Sequence, residues 1–345
     1  MKVLVTGDRG YIGRILVPHL LEKGYEVRGI DTDYYEGCDL YETPDRDYEV
    51  VSKDVREITA EDLRGVEAIH HLAALSNDPL GKIDSELTED INYNGTLRLA
   101  NLAKREGVRR FVFSSSCSVY GTSDGEIVDE DSEVNPLTAY ARSKVRAENE
   151  LEAMADSEFT PVFLRNATAY GLSPRLRFDI VVNNLTGWGY TTGEVVIKSD
   201  GTPWRPLVHI RDIAQAFDLA MTADADLVRG EAFNVGGEGE NYQIKDLAAI
   251  VGQNVPNADV TYGGEPSPDS RTYRVAFDKI EERLGFWCEW DVPAGVRELY
   301  QKFVEIGLTE AEFRSAAYTR LDRIRTLRNQ KRLDTKLRWR QIDDY

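Results

Sequence analysis

The chain has 345 residues, of which 41% are apolar, and a formal net charge of −18. That length buries one large core or two lobes, and the acidic surplus argues against a nucleic-acid binder, whose phosphates reward a basic face. No 18-residue apolar run marks a membrane span and the chain starts directly in a strand, so a cytoplasmic protein without a signal peptide is expected. The three cysteines (Cys38, Cys117 and Cys288) are widely spaced and suggest reduced thiols, and four histidines without a Cys-x-x-Cys pair predict no metal site.

Val3-Leu4-Val5 reads as a buried parallel strand. It breaks into Gly7-x-x-Gly10-x-x-Gly13 and continues as an amphipathic segment, Tyr11 to Lys23, with Ile12, Ile15, Leu16 and Leu20 on one helical face. Of the three glycines, one serves the tight turn, one the approach of backbone N–H groups to a diphosphate, and one close helix–strand packing. The diphosphate then sits at the positive end of the helix. A second apolar run, Tyr25 to Ile30, ends in Asp31, 18 residues past Gly13. A carboxylate there accepts from the adenosine ribose hydroxyls and repels a 2′-phosphate. Thr32 and Asp33 bring no arginine, so the pattern predicts NAD rather than NADP.

A polar, tyrosine-rich segment leads to a strand, Tyr48 to Lys53, and then Asp54-Val55. Asp54 either accepts from the adenine amino group or caps the segment from Arg56 to Leu63. The next strand, Ala68 to Leu72, runs into Ala73-Ala74, small enough to pass under a cofactor. Ser76-Asn77-Asp78-Pro79 then forms a loop at a strand's carboxyl end, where doubly wound sheets bind ligands. A long helix from Ser85 to Glu106 carries Asn92, and Arg110 to Phe113 is a strand ending in Ser114-Ser115-Ser116-Cys117-Ser118-Val119-Tyr120-Gly121. This alternation predicts an α/β fold with a Rossmann-type doubly wound parallel sheet. A serine cluster there makes a poor core and a good polar site: one hydroxyl is expected to be catalytic, while others satisfy backbone groups. Tyr140 and Lys144, at i and i+4, share one helix face and form the single Tyr-x-x-x-Lys pair of the chain.

After a further strand, Thr160 to Arg165, the alternation lapses. The expected division is a dinucleotide-binding domain over 1–166, a smaller α/β substrate lobe over 167–307 and a helical tail over 308–345. The lobe holds Thr168, the run Ser173 to Asp179, a strand from Glu194 to Ile197, a helix from Ile213 to Met221, a strand and turn from Glu231 to Gly237, and helices from Gln243 to Val251 and Lys279 to Leu284. Arg175, Arg177, Arg205 and Arg271 sit among apolar residues and prolines, suited to bidentate phosphate binding or to structural ion pairs. The tail has ten basic and six acidic residues, with Phe313, Ala317, Leu321, Ile324 and Leu327 at helical spacing. It reads as a basic helix strapped to the acidic body, of its own or a neighbouring subunit, without chemistry of its own.

Thr6-Gly7-x-x-Gly10-x-x-Gly13, Asp31, Asp54, Ala73-Ala74, Ser114-Ser115-Ser116, Tyr140-x-x-x-Lys144 and Arg205 before Val208-His209-Ile210 together resemble the extended short-chain dehydrogenase/reductase superfamily, in its NAD-dependent nucleotide-sugar epimerase/dehydratase branch, over residues 1 to 306. The resemblance implies Ser116, Tyr140 and Lys144 as catalytic residues, and Arg205 and Arg271 on the diphosphate of a nucleotide sugar. Expected cofactor contacts come from Gly7, Gly10, Tyr11, Ile12, Gly13, Asp31, Asp54, Val55, Leu72, Ala73, Ala74, Asn92, Ser114, Tyr140 and Lys144. Expected substrate contacts come from Ser76, Asn77, Ser116, Cys117, Ser118, Thr168, Arg175, Arg177, Arg205 and Arg271.

Departures sharpen the expectation. The 4,6-dehydratases of the branch carry an Asp-Glu pair where this chain has Cys117-Ser118, and UDP-glucuronate decarboxylases have a glutamate where Ser118 stands. Elimination needs an acid and a base beside the sugar. Ser-Ser-Ser-x-Ser-Val-Tyr-Gly is instead similar to 4-epimerases, which usually have asparagine where Thr168 stands. The run Ser173 to Asp179 is similar to epimerase-like enzymes of capsule and antibiotic sugar pathways, including GDP-heptose 4-dehydrogenases. The resemblance therefore implies a nucleotide-sugar epimerase working through a transient 4-keto intermediate, with a 4-dehydrogenase or reductase as the alternative, dehydratase and decarboxylase chemistry behind it, and a non-catalytic NAD-binding scaffold as the non-enzyme reading. A homodimer through the helices bearing Asn92 and Tyr140 is the superfamily's habit.

Overall fold

A computed structural model describes residues 1–44, 47–76, 84–265 and 271–340. Val3 and Val5 pack on one side of the first strand and Leu4 on the other, the period-two pattern of a strand buried on both faces. That strand, β1 (Lys2–Thr6), is followed by β2 (Glu26–Asp31), β3 (Glu49–Ser52), β4 (Ala68–His71) and β5 (Arg110–Ser116). Next come β6 (Thr122–Val128), β7 (Thr160–Asn166), β8 (Thr168–Tyr170), β9 (Glu194–Ser199) and β10 (Trp204–His209). The last four are β11 (Ala232–Val235), β12 (Asn241–Gln243), β13 (Asp259–Glu265) and β14 (Thr272–Val275).

Seven strands form one sheet in the order β11-β7-β5-β4-β1-β2-β3, with every pair parallel. The helices Gly13–Glu22 and Ile210–Thr222 cover one face through Leu16, Leu20, Ile213 and Phe217. Gly95–Arg105 and Ala139–Ala153 cover the other through Leu99, Ala103, Ala147 and Leu151. From β1 the chain winds one way to β2 and β3 and the other way through β4 and β5, so the loops at the carboxyl ends part between β1 and β4 and leave a crevice.

Two elements differ from the sequence expectation. The strand after Glu231 does not stay in the second lobe. It pairs with β7, Phe233 opposite Leu164, and extends the main sheet, because Phe233 and Val235 are fully apolar and buried there. The long helix also carries a π turn, Asp90–Asn94, between Ser85–Glu89 and Gly95–Arg105. Outside the main sheet, β10 lies between β8 and β12, β9 pairs with β13, and β6 with β14.

The tail folds on its own chain. After a single turn, Glu310–Phe313, comes the helix Arg320–Asn329. Ile324, Leu327, Leu333 and Leu337 are buried with Tyr34, Val55 and Ile58. Among the described residues, no helix is long and apolar enough to cross a membrane.

Candidate active site and family

The glycine turn closes the crevice at β1. Gly7 has φ +76°, and a Cβ there would lie 3.0 Å from the Ala73 nitrogen; a Cβ at Gly13 would lie 2.2 Å from the Gly7 oxygen. Only glycine fits these two positions. The helix Gly13–Glu22 begins without a side-chain cap, which leaves first-turn N–H groups for a ligand. Asp31 stands at the end of β2, its Oδ1 accepting from the Asp33 N–H at 3.0 Å. Sequence reasoning passed over Arg9 within the turn. It forms an ion pair with Asp33, and its Nη2 donates to the carbonyls of Asp31 (3.1 Å) and Val51 (3.3 Å), tying together the ends of β2 and β3. Its neighbour Asp8 is fully buried. The Tyr48 hydroxyl donates to Oδ2 at 2.9 Å, Oδ1 has no partner, and burial pushes the carboxyl up to about 7.

Asp54 lines the cavity, but its oxygens are already committed. Oδ1 accepts from the Arg56 N–H (2.8 Å) and Nε (2.9 Å), and Oδ2 from Arg56 Nη2 (2.7 Å), with Arg338 Nη1 at 3.2 Å. Four donors occupy the four lone-pair sites of a carboxylate. Of its two expected roles, the structure shows the cap, on the turn Val55–Glu57, and not a carboxylate open to adenine.

The polar end of the cavity is built by β5 and the helix after it. Alternation along β5 sends Ser115 back to donate to Glu148 and leaves Ser114 and Ser116 on the cavity wall. Thr138 caps the helix Ala139–Ala153, accepting from the Ala141 N–H at 3.1 Å, and so sets Tyr140 and Lys144 one turn apart against the serines. Lys144 Nζ donates to the Ser114 carbonyl at 2.6 Å and lies 5.6 Å from the centre of the Tyr140 ring. Only 2% of this lysine is exposed; burial pushes it down to about 7, against the pull of Glu148. The Ser116 Oγ accepts from the Ser118 N–H at 3.2 Å, while the Ser118 Oγ is buried without a partner. Asn166, absent from the sequence expectations, donates Nδ2 to the Ser114 Oγ at 3.2 Å and leaves Oδ1 unsatisfied. Its place at the carboxyl end of β7 was the available signal.

One cavity of about 750 Å³ joins these groups. It is lined by Gly7, Gly10, Tyr11, Ile12, Gly13, Asp31, Asp54, Val55, Leu72, Ala73 and Ala74 at one end. Ser76, Ser114, Ser116, Ser118, Tyr140, Lys144, Thr168, Arg177, Arg205 and Arg271 are also among its lining residues. Arg205 Nη1 donates to the Arg271 carbonyl at 2.6 Å, and Arg177 reaches the Ser76 Oγ at 3.3 Å.

Three expected contacts lie off the cavity. Asn92, in the π turn, accepts from the Leu75 N–H (2.8 Å) and donates to its carbonyl (3.2 Å), so it fixes the backbone behind the cavity wall. Cys117 turns inward and donates to the Arg165 carbonyl at 3.0 Å. Arg175 pairs with Asp39, Nε to Oδ1 at 2.9 Å. Asn77 lies outside the described residues. A dinucleotide fits this lining on the structure's own terms: two Cβ-free positions under the turn, the uncapped helix start, and the unsatisfied Asn166 and Ser118 oxygens at the far end.

Comparison with known proteins agrees with this geometry. The chain is 30% identical over 318 residues to a UDP-glucose 4-epimerase of Mycolicibacterium smegmatis, covering 88% of this chain and 98% of that one. It is 26% identical over 313 residues to UDP-glucuronic acid decarboxylase 2 of Arabidopsis thaliana, covering 86% of this chain and 66% of that one. The dTDP-glucose 4,6-dehydratase DesIV of Streptomyces venezuelae, solved with NAD bound, superposes with a TM-score of 0.78 at 25% identity, covering 90% of this chain and all of that one. The sequence pattern of the NAD dependent epimerase/dehydratase family matches residues 3–236. The chain belongs to that family of NAD-dependent enzymes.

Proposed function

We propose that this enzyme is a nucleotide-sugar epimerase that works through a transient 4-keto sugar. The observation that carries the reading is the composition of the polar end of the cavity. Ser116, Tyr140 and Lys144 line it together, and Cys117 and Ser118 follow the serine where dehydration would require carboxylates. Among the described lining residues, the carboxylates Asp31, Asp54 and Asp179 belong to other elements, and Asp54 and Asp179 are held by arginines. Proton abstraction beside the sugar's 4-hydroxyl is served here, and elimination of water is not.

The glycine turn, Asp31, Ala73-Ala74 and Lys144 would hold NAD, which supplies the acceptor and later the donor of the C4 hydride. Tyr140 as phenolate removes the 4-hydroxyl proton, Ser116 hydrogen-bonds the same oxygen, and Lys144 stabilises the phenolate. Arg205 and Arg271 hold the diphosphate of the sugar nucleotide, so the sugar itself is free to turn over and present its opposite face. Tyr140 then returns the proton. A homodimer through the helices bearing Asn92 and Tyr140 is part of the proposal.

Incubating the protein with a panel of nucleotide sugars tests the assignment. An epimerase interconverts two C4 isomers with no net change at the NADH absorbance. Stoichiometric NADH with release of a keto sugar would replace the reading with a 4-dehydrogenase. The variant Tyr140→Phe should keep NAD binding and lose turnover by about 10²- to 10⁴-fold; near-full activity would refute the role given to Tyr140.

A further inference from the structure

The tail brings one residue to the cavity that the proposed reaction does not use. Arg320 opens the helix Arg320–Asn329, is 3% exposed, and lines the cavity. Its guanidinium lies 3.9 Å from the centre of the Tyr35 ring, and Nη2 donates to the Arg175 carbonyl at 3.3 Å. Nη1 is buried with no hydrogen-bond partner.

The neighbouring carboxylates are committed to other arginines. Arg175 is paired with Asp39, and Arg177 takes both oxygens of Asp179, at 2.8 and 3.3 Å. The Asp179 carboxylate, shared with Arg177, accepts from the Arg320 backbone N–H at 3.4 Å and attracts the Arg320 charge without forming an ion pair with its guanidinium. Among the described residues, no carboxylate forms an ion pair with the Arg320 guanidinium. A buried cation without a counter-charge is strongly unfavourable, and a fold retains one when an anion completes it. Burial and the two nearby arginines push even this guanidinium down to about 10.

The position selects among the anions of the cavity. Arg320 stacks on Tyr35, four residues past the Asp31 that ends β2, and lines the cavity together with Tyr35, Tyr11 and the glycine turn. Arg205 and Arg271, the residues given to the sugar nucleotide, lie in β10 and immediately before β14 instead. The tail is fastened to the same segment: Arg323 donates to the carbonyls of Tyr34 (3.0 Å) and Glu36 (2.9 Å), and the Trp339 indole N–H to that of Thr32 at 2.5 Å. We infer that the C-terminal tail is a clasp over the cofactor site and that Arg320 binds the diphosphate of the bound dinucleotide.

Titration of the full-length apoprotein with NAD and with ADP, which shares its diphosphate, tests this. Hydrogen bonds to charged groups of this kind predict that Arg320→Met weakens both ligands by about 10- to 100-fold. Binding of UDP, the probe for the substrate side, should stay unchanged, and the apoprotein should melt no lower, since an uncompensated cation has gone. Arg320→Lys keeps the charge and the stem but loses the fork; it serves as the second variant should the first fail to fold, with a several-fold loss expected. NAD and ADP affinities within twofold of wild type in either folded variant, or a loss confined to UDP, overturn the assignment.

Discussion

Lys144→Met separates two roles that a lysine in this position can have. The ammonium lies 5.6 Å from the centre of the Tyr140 ring, and at an effective dielectric near 20 that distance gives about 3 kcal/mol of stabilisation to a phenolate. At 1.36 kcal/mol per unit, the acid limb of the pH–rate profile should move up by about 2 pH units. Near neutral pH the variant should therefore be about 100-fold slower, recovering roughly tenfold per pH unit as the pH is raised. Burial draws Lys144 down to about 7 in the free protein, so near neutral pH the amine can take up or give back a proton beside the reacting hydroxyl. The assay is kcat against pH at saturating NAD, with wild type and variant side by side. Parallel profiles, displaced only in height, would refute the electrostatic argument and reduce Lys144 to a tether for the cofactor ribose. Unfolding is separately checked by sign. A lysine whose folded pKa is depressed makes the folded state bind fewer protons than the unfolded state between about 7 and 10.5. Wild-type stability contributed by this group thus rises with pH across that window, and the variant should gain stability relative to wild type below pH 7.

Asp8→Asn should flatten a different part of the stability curve. Its folded carboxyl is raised from 3.8 to about 7, so the folded state holds the extra proton, and stability present below pH 4 is lost as the pH rises through 7. Urea midpoints at pH 5 and pH 8 should differ less in the variant, with a gain on the order of 1–3 kcal/mol at pH 8; an unchanged difference would contradict the assignment. Asp54→Ala removes the carboxylate that binds Arg56 at 2.7 Å but leaves its ion pair with Asp90 at 2.8 Å, and should cost about 1–3 kcal/mol in denaturant melts. Because Arg338 of the tail also reaches Asp54, limited proteolysis should cut the variant in the tail sooner than wild type.

The parts of the site written in adjacent residues were legible in the sequence. The glycine turn, Asp31 and the Tyr140–Lys144 pair each depend on spacing within one element or one strand–turn–helix unit, where local geometry fixes what meets what. Legibility ended where a side chain's partner is set by distant packing. Asn92 is a polar residue in a helix, but only the π turn aims it at the Leu75 backbone. Asp54 offered two roles, and the choice between them lies with Arg56 and with Arg338, nearly three hundred residues downstream. The strand Thr122–Val128, four of whose seven residues are polar, shows its identity only on pairing with Thr272–Val275. Arg320 belongs to no motif at all; its helix was readable, and its arrival at the cavity was not.

The charge of the chain is informative on two length scales with opposite sense. The surplus of −18 is spread over a surface where salt screens beyond about 8 Å, so it opposes long polyanions without deciding what a cavity accepts. Inside, Arg177, Arg205, Arg271, Arg320 and Lys144 line one space of about 750 Å³, in which salt screens little and a cation without a carboxylate partner among the described residues, such as the Arg320 guanidinium, acts more strongly than it would at the surface. An acidic exterior repels a nucleic acid that must lie along the surface, whereas a dinucleotide and a sugar nucleotide enter as small molecules that each carry one diphosphate and are held by groups that the surface potential barely reaches. A variant that neutralises exposed glutamates far from the crevice should accordingly leave the affinity for ADP unchanged, whereas substitution of Arg320 should not.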